Sequence, residues 1–270
     1  MICYPNAKIN LGLRVISRRL DGFHNIDSFF LPIPLFDILE VKKSAINSKV
    51  NKISYSGFSL TDFNNDLVLQ AYDLLDREFS LPKVKIHLHK NIPIFSGLGG
   101  GSSNAAYMLI MLNKLFNLKL TDKELISYAN KLGSDCPFFI INSFSHVMGR
   151  GDKITFKNNP LKDYHIVIIK PSISCSTTNI FSQISIKDSI DIFYPDTDNI
   201  HQWPNKLVND LEAVVFSLYP ELELIKDYLY ASGACYASMT GSGASIYGLF
   251  QKKPINIKYE NSWVFSSVLR

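Results

Sequence analysis

Alternating hydrophobic and polar positions in the first third of the chain predict β-strands. In 7–15, the residues Ile9, Leu11, Leu13 and Val15 fall on one face, which is the two-residue period of a strand with one buried face. Three shorter runs rich in β-forming residues follow, with turns between them, at 29–31, 37–42 and 83–90. We therefore expect the first third of the chain to form a sheet.

A period of three to four residues replaces this alternation at three places and predicts helices. The first place is 66–79, and the last is 122–132 with Thr121 as its N-cap. Between them, the polar residues 102–104 stand before an apolar helical face, and serine or asparagine in that position is typical of a helix N-terminus. The glycine-rich segment that precedes them is therefore expected to lead directly into a helix.

The second half of the chain also mixes strands and helices. A buried strand is predicted at 164–170, ended by Pro171, and 188–201 has little periodicity and is expected to be an irregular loop. Beyond it we predict helices at 206–218 and 221–231, divided by Pro220, and strands at 235–239 and 245–250, joined by 240–244. The pattern indicates an α+β protein in two halves, which we place at 1–155 and 156–270.

Composition narrows the class of protein. Of 270 residues, 46% are hydrophobic and 19% are charged, which excludes a disordered chain and fits one large domain or two small ones. The four cysteines are far apart and form no CxxC pair, so we expect reduced thiols. Neither a secretory signal nor a membrane span is recognisable, so we expect a cytoplasmic protein without a membrane partner. The net charge of +4 comes from scattered residues, which does not indicate a nucleic-acid surface but would suit a pocket for an anionic ligand.

The glycine-rich segment 93–103, with the sequence PIFSGLGGGSS, is the strongest local signal for chemistry. Consecutive glycines let backbone amides approach an anion closely, and the helix that follows adds the positive end of its dipole. A flexible turn that merely caps the helix is the alternative. Three standard phosphate-binding signatures do not fit, because the chain has no Gly-Lys dipeptide, no HRD or DFG tripeptide, and a serine, Ser102, at the third glycine of the dinucleotide motif.

Three further segments change this picture. They are PNAKINLGLRV at 5–15, RRLDGFH at 18–24 and MTGSGAS at 239–245. In this order, with the glycine-rich segment between the second and the third, they resemble the GHMP kinase superfamily of ATP-dependent small-molecule kinases. The segments 5–15 and 18–24 are similar to the branch that acts on a cytidine-diphosphate substrate.

The resemblance implies a fold and a reaction. Members of the superfamily join an N-terminal ribosomal-protein-S5-domain-2-like domain to a C-terminal ferredoxin-like domain, with ATP and substrate in the cleft between them. The implied reaction phosphorylates the C2 hydroxyl of the methylerythritol moiety of a cytidine-diphosphate substrate, in the non-mevalonate route to isoprenoid precursors. Mg²⁺ is expected because the charge of the triphosphate must be neutralised, and no protein ligand for it is identified.

The resemblance also implies the residues that bind ATP. They are Lys90, Pro93, Ile94, Phe95, Ser96, Gly97, Leu98, Gly99, Gly100, Gly101, Ser102 and Ser103. Lys90 has the alternative interpretation of a solvated strand end. Phe95 and Ser96 depart from the family pattern, in which small residues are usual at these two positions.

The catalytic pair of the superfamily falls on Lys8 and Asp135. Phosphoryl transfer needs a positioned hydroxyl, a proton acceptor and cations against the phosphate oxygens, and this pair supplies the acceptor and one cation. From the residues alone, Lys8 would be a lysine that points to solvent from an edge strand, and Asp135 would be an N-cap or turn aspartate. The resemblance favours the functional interpretation of both residues.

The same resemblance implies the contacts to the cytidine substrate. They are Asn10, Phe23, His24, Thr177, Phe181, Gly241, Ser242 and Gly243. Phe23 stands where the family has a tyrosine. Because stacking on a base needs only the face of the ring, that role is kept, whereas any hydrogen bond from a phenol is lost.

Several alternatives stay open. Another kinase of the superfamily, of the homoserine or mevalonate type, would not require the segment 18–24. A non-catalytic nucleotide- or RNA-binding protein on the same fold would suit the mild basic charge, but it would have no use for a proton acceptor beside a phosphate. We therefore expect a small-molecule substrate and no nucleic-acid partner. His87 and His89 could chelate a metal, but no third ligand is evident, and the sequence predicts no oligomeric state.

Overall fold

The structure, a computed structural model, describes residues 1–45, 50–58, 66–186 and 193–269, except the side chains of 197–199. Its strands are β1 (Ile2–Cys3), β2 (Asn6–Arg18), β3 (His24–Phe36), β4 (Ile38–Lys43), β5 (Lys52–Gly57), β6 (Val84–Lys90), β7 (Ser145–Gly149), β8 (Lys153–Phe156), β9 (His165–Pro171), β10 (Tyr236–Met239), β11 (Ile246–Phe250) and β12 (Ser262–Val268). Its helices are α1 (Leu67–Phe79), α2 (Gly100–Phe116), α3 (Asp122–Leu132), α4 (Cys136–Ile141), α5 (Thr177–Ser182), α6 (Trp203–Lys206), α7 (Glu212–Leu218) and α8 (Glu221–Ala231), with a 3-10 helix at Thr197–Gln202. Within these ranges no helix has both the length and the apolar character of a membrane span.

The chain forms two compact units, each built from separated stretches of sequence. The first unit comprises Met1–Ala7, Leu35–Ile94 and Gly99–Ser143, and the second comprises Lys8–Pro34, Phe95–Leu98 and Phe144–Arg270. The first unit therefore lies within the predicted half 1–155, whereas the second takes residues from both predicted halves. The division at residue 155 as a domain boundary stays a prediction.

In the first unit, a sheet of strand order β1-β4-β6-β5 packs with α1, α2 and α3 around one hydrophobic core. Strands β4 and β6 are antiparallel with Val41 opposite Ile86, and β5 runs parallel to β6. Along β6, Val84, Ile86 and Leu88 are buried while Lys85 and the residues that alternate with them are more exposed. The period of two in the sequence thus places one face of β6 in the core, as predicted for 83–90.

The helix ends of the first unit follow local sequence signals, with one exception. Thr121 and Glu124 form the reciprocal capping box of α3, which confirms the predicted cap. Helix α2 begins two residues before the predicted polar start, at Gly100, and its N-cap is Gly99 in the left-handed region with φ 74°. The polar residues 102–104 consequently lie in the first turn of α2 and do not cap it. The glycine run itself supplies the helix N-terminus.

The second unit contains a sheet of order β2-β3-β7-β8, to which most of β2 and β3 belongs, and a sheet of order β10-β11-β9-β12. Strand β9 pairs antiparallel with both β11 and β12, and 166–169 are fully buried, as the apolar run in the sequence predicts. Leu13 and Val15 of β2 join residues of α7, α8 and the second sheet in one core. Helix α8 occupies the predicted range 221–231.

Two predictions for the second unit are wrong. The predicted helix 206–218 is helical only at its ends, in α6 and α7, because the chain between them pairs with β2: Leu13 N–H donates to the Val208 carbonyl and Asp210 N–H to the Leu13 carbonyl, at 2.9 and 2.8 Å. The predicted irregular loop 188–201 lies partly outside the described residues, and its last part forms the 3-10 helix. Strand β12 was not predicted, although Trp263 and Phe265 alternate with smaller residues in it.

Candidate active site

Part of the glycine-rich segment is held against a second glycine loop within the second unit. A Cβ atom on Gly97 would lie 2.0 Å from the Thr240 carbonyl oxygen, so only glycine allows this approach. Ser245 N–H donates to the Ser96 carbonyl at 3.2 Å, and the Thr240 hydroxyl reaches the Gly97 carbonyl at the same distance. The residues 95–98 therefore take their conformation from a loop more than 140 positions later in the chain.

The other part of the segment forms the start of α2 in the first unit. The first N–H groups of an α-helix have no partner within the helix, and the helix dipole makes that end positive. Gly99 caps α2 without a side-chain hydrogen bond, so no side chain of the cap occupies these donors. Among the described residues, the buried Ser103 hydroxyl has no hydrogen-bond partner. This end of α2 can bind an anion such as a phosphate.

Phe95 stands out within the segment. Its φ is 52°, in the left-handed region that side chains other than glycine adopt at a cost of roughly 1–2 kcal/mol. Its ring keeps 59% of its surface exposed, so packing within the protein offsets little of this cost. At this position, where the family has a small residue, the chain therefore presents an exposed aromatic side chain that a ligand can reach.

Lys90 is buried beneath the start of α2 in a cluster that we call the phosphate-side cluster: Asp37, Lys90 and Asn104. The Lys90 ammonium forms an ion pair with Asp37 Oδ2 and donates to Asn104 Oδ1 at 2.8 Å. Asp37 Oδ1 also accepts the N–H groups of 91 and 92, at 2.7 and 2.8 Å. Burial lowers the pKa of Lys90, and the Asp37 carboxylate opposes that shift. Lys90 is not a solvated strand end, and its contact with ATP stays a prediction.

Lys8 is buried in the second unit, with 2% of its surface exposed, and does not point to solvent. Its ammonium donates to Asn10 Oδ1 at 2.5 Å and lies 4.7 Å from the centroid of the Phe30 ring. Asn10 is held in turn, because its amide donates to the Ser28 hydroxyl at 3.1 Å and its Oδ1 accepts from the Thr240 hydroxyl at 3.2 Å. The lysine thus has a fixed position, which a solvent-facing side chain would not have.

Asp135 belongs to the first unit and stands at the N-cap position of α4. It has helical backbone angles and its side chain makes no cap hydrogen bond to α4. Asp135 therefore occupies the N-cap position, but its carboxylate does not accept a capping hydrogen bond from α4. Asp135 is half-buried and is followed by the buried Cys136, and its catalytic role stays a prediction.

The residues predicted to contact cytidine all belong to the second unit. Phe23 is 46% exposed in the turn between β2 and β3, and the His24 ring lies 5.2 Å from that of Phe181. Burial, followed by the charge of Arg18, lowers the pKa of His24 below its usual 6.5. The Thr177 hydroxyl lies 2.8 Å from that of Ser242, which joins the start of α5 to the loop 240–244.

The histidine pair on β6 has partners other than a metal. Both ring nitrogens of His87 are within 2.9 Å of the hydroxyls of Ser54 and Ser56, and His89 reaches Ser56 at 2.8 Å. No group of three potential metal ligands occurs in the part of the chain that the structure describes. These histidines form a partly exposed hydrogen-bonded row on the sheet.

Sequence reasoning missed the residues that support this site. Lys90 is held by Asp37 and Asn104, and Asn10 by Thr240 and Ser28. The Asn209 amide anchors the glycine loop 240–244 by donating to the carbonyls of 239 and 241, both at 2.9 Å. An aspartate directly before a buried strand was the one local signal for Asp37. The other contacts join distant segments and have no local signature.

This architecture belongs to a known class. A family model described as GHMP kinases N terminal domain matches 66–143, and one described as GHMP kinases C terminal matches 197–261. The chain belongs to the GHMP kinase family and has its two-domain α+β fold, which confirms the predicted fold class. The family uses ATP as a co-substrate and phosphorylates small molecules.

Individual relatives narrow the class. The chain is 47% identical to a 4-diphosphocytidyl-2-C-methyl-D-erythritol kinase of Azobacteroides pseudotrichonymphae, over 93% of this chain and 94% of the relative. It is 42% identical to a kinase of the same name from Bacteroides fragilis over the full length of both. A crystal structure of 4-(cytidine 5'-diphospho)-2C-methyl-D-erythritol kinase superimposes with a TM-score of 0.74 at 29% identity, covering 92% of this chain and 90% of that chain.

Proposed function

We propose that this chain transfers the γ-phosphoryl group of ATP to the C2 hydroxyl of 4-diphosphocytidyl-2-C-methyl-D-erythritol, giving the 2-phosphate and ADP. The observation that carries the proposal is the full-length similarity to kinases named for this substrate. The chain carries the residues implied for catalysis, and among those implied for cytidine Phe23 stands in place of the tyrosine of the family. The buried, oriented Lys8 supports the choice of an enzyme over a binding module.

In the proposed reaction, Asp135 accepts the proton of the C2 hydroxyl as its oxygen attacks the γ-phosphorus. The bond between that phosphorus and the bridging oxygen to the β-phosphate breaks, and ADP leaves with the electron pair. Lys8 stabilises the negative charge that develops on the transferring group, and Asn10 holds its ammonium in one orientation. The start of α2 binds the phosphates through backbone N–H groups.

Mg²⁺ fits this site as an ion carried mainly by the triphosphate. Such an ion keeps several waters and takes only one or two oxygens from the protein. The orphaned hydroxyl of Ser103 in the first turn of α2 is an oxygen of the required kind, and we assign it to this ion. When bound, Mg²⁺ neutralises charge on the phosphate oxygens.

The test is an ADP-release assay on a panel of acceptors. The panel contains the cytidine-diphosphate methylerythritol, cytidine-diphosphate polyols without the C2 methyl group, mevalonate and homoserine. We expect turnover with the first compound, a product that gains one phosphoryl group at C2 by ³¹P NMR, and product formation slower by about 10²–10⁴ with Asp135→Asn. Preference for mevalonate or homoserine would assign the chain to another kinase of the family, and ATP binding without turnover of any acceptor would favour the binding protein.

A further inference from the structure

The Phe23 ring already has a partner within the protein. The central carbon of the Arg150 guanidinium lies 3.8 Å from the centroid of the Phe23 ring, which is a close cation–π stack. Phe23 nevertheless keeps 46% of its surface exposed. The guanidinium thus covers part of the ring and leaves the rest open to a ligand.

The backbone on both sides of the Phe23 side chain is fixed by the turn. Phe23 N–H donates to Asp21 Oδ1 at 3.1 Å, and its carbonyl accepts from Arg19 N–H at 2.8 Å. These bonds place the Cβ atom but leave the ring free to rotate about its two side-chain torsions. A phenylalanine has no hydroxyl with which to anchor the ring, so its orientation depends on what packs against its face.

The position of Arg150 follows from the register of the sheet. Strands β3 and β7 pair with Ile26 opposite Gly149, so the turn after β7 reaches the turn before β3, where Phe23 stands. Within that turn, Arg150 N–H donates to Asp152 Oδ1 at 2.9 Å and the N–H of 151 donates to the carbonyl of 148 at 3.2 Å. The arginine is therefore presented from a hydrogen-bonded turn, and its stack on Phe23 is a consequence of strand pairing.

We propose that Arg150 is a positioning residue for the cytosine ring of the substrate: its guanidinium stacks on one face of Phe23 and holds the other face in the orientation on which cytosine stacks. The proposal rests on the proposed function and adds a residue outside the segments that carry the family resemblance. It explains how a phenylalanine serves as a base platform at a position where the family has a tyrosine. Arg150 acts through Phe23 and need not touch the reacting atoms.

The experiment compares steady-state kinetics of Arg150→Gln with those of a matched control. Loss of an exposed cation–π stack raises KM for the cytidine substrate by about two- to fivefold, while kcat, KM for ATP and Tm stay unchanged. Lys153→Gln removes the same charge from the first residue of β8, directly after that turn, and leaves all four quantities unchanged. Arg150→Lys keeps the charge but loses the planar stack, so its KM lies between wild type and Arg150→Gln.

A double-mutant cycle with Phe23→Leu decides whether the arginine acts through the ring. In the Phe23→Leu background, Arg150→Gln should cause no further rise in KM, because the ring that it positions is gone. An equal rise in both backgrounds would mean that Arg150 binds the substrate directly and would overturn the inference. A rise in KM for Phe23→Leu with none for Arg150→Gln would overturn it while the proposed function stands. Absence of turnover by the wild-type chain would overturn both.

Discussion

Two clusters of residues, one in each unit, differ in burial and in how their charges are paired. The phosphate-side cluster of Asp37, Lys90 and Asn104 is buried, with exposed fractions of 0, 4 and 2%, and its charges are paired within the protein. We call Phe23, His24, Arg150 and Phe181 the base-side cluster. Its side chains come from the turn before β3, the start of β3, the turn after β7 and helix α5, and Phe23 is 46% exposed.

This contrast in burial determines which positions tolerate substitution without loss of stability. A buried ion pair that loses one partner leaves an uncompensated charge, so a substitution in the phosphate-side cluster affects folding itself. An exposed ring can be exchanged at the expense of affinity alone. The departure from tyrosine at Phe23 lies on the base side, where the fold does not depend on it.

The largest expected effect tests the proposed catalytic pair, Asp135 of the first unit and Lys8 of the second, which belongs to neither cluster. Asp135→Asn keeps the size of the side chain and removes the proton acceptor, so kcat falls by about 10²–10⁴ while both substrates still bind. Lys8→Ala loses a comparable factor, because the transferring phosphoryl group loses its cation. Stopped-time ADP assays and calorimetric titration of both ligands measure the two variants.

The double variant tests whether the two residues act together or independently. In the proposed mechanism both residues act on one transition state, so Asp135→Asn with Lys8→Ala should be little worse than the poorer single variant. Multiplied losses would show that the two residues act independently. Nearly normal turnover of Asp135→Asn would place the proton acceptor elsewhere in the chain.

The next effect tests the buried cluster through folding. Asp37→Asn removes the counter-charge of the Lys90 ammonium, and we expect the free energy of unfolding to fall by about 3–5 kcal/mol. The matched control is Asp76→Asn, which breaks the half-exposed ion pair with Lys83 in the same unit and should cost at most about 1 kcal/mol. Urea denaturation followed by circular dichroism compares them, and equal losses would remove the distinction between buried and exposed charge.

A smaller effect tests the exposed cluster through affinity. Phe23→Ala removes the stacking surface and should raise KM for the cytidine substrate by about 1–3 kcal/mol, or roughly 5- to 150-fold. KM for ATP and Tm should hardly move, and Phe23→Tyr should be close to wild type. An equal loss of ATP affinity in the alanine variant would assign the ring to the other nucleotide.

The smallest effect concerns the pH dependence of base binding. Burial and the charge of Arg18 lower the pKa of His24 below 6.5, so the neutral imidazole is favoured in the folded chain. The unfolded chain binds the proton more readily, and this contribution to stability is therefore lost as pH falls from 6.5 through the lowered pKa. Arg18→Gln should raise the pKa of His24 in an NMR titration and move the acid-side rise in substrate KM to higher pH. Lys153→Gln, the control, should shift neither, and an unchanged His24 titration in Arg18→Gln would exclude the charge effect.

The sequence predicts those elements whose hydrophobic period and caps agree. Strand β6 shows a clear period, and α3 with its capping box and α8 were placed correctly from local signals. The helix predicted at 206–218 fails because β2 captures residues between α6 and α7 by backbone hydrogen bonds, a tertiary contact that no window of sequence contains. Tertiary pairing overrode local propensity at that point.

The candidate site also contains some residues that the sequence identifies and others that only the structure reveals. The glycine-rich segment is visible as a motif, and Lys8 and Asp135 follow from the family resemblance. The burial of Lys8 could not be predicted, because an alternating strand pattern does not say which of its faces a second sheet or loop will cover. The role of Arg150 was not predicted, because its contact with Phe23 depends on the register between β3 and β7, which cannot be read from the sequence.

The approach of Gly97 to Thr240 also sets an order of events during synthesis. The Ser96 carbonyl accepts from Ser245 N–H and the Gly97 carbonyl from the Thr240 hydroxyl, so the residues 95–98 lack these partners until residues 240–245 have been translated. A nascent chain that stops before residue 240 contains every residue of the glycine-rich segment but cannot complete its conformation. The growing polypeptide therefore completes the conformation of residues 95–98 only after residues 240–245 have been synthesised.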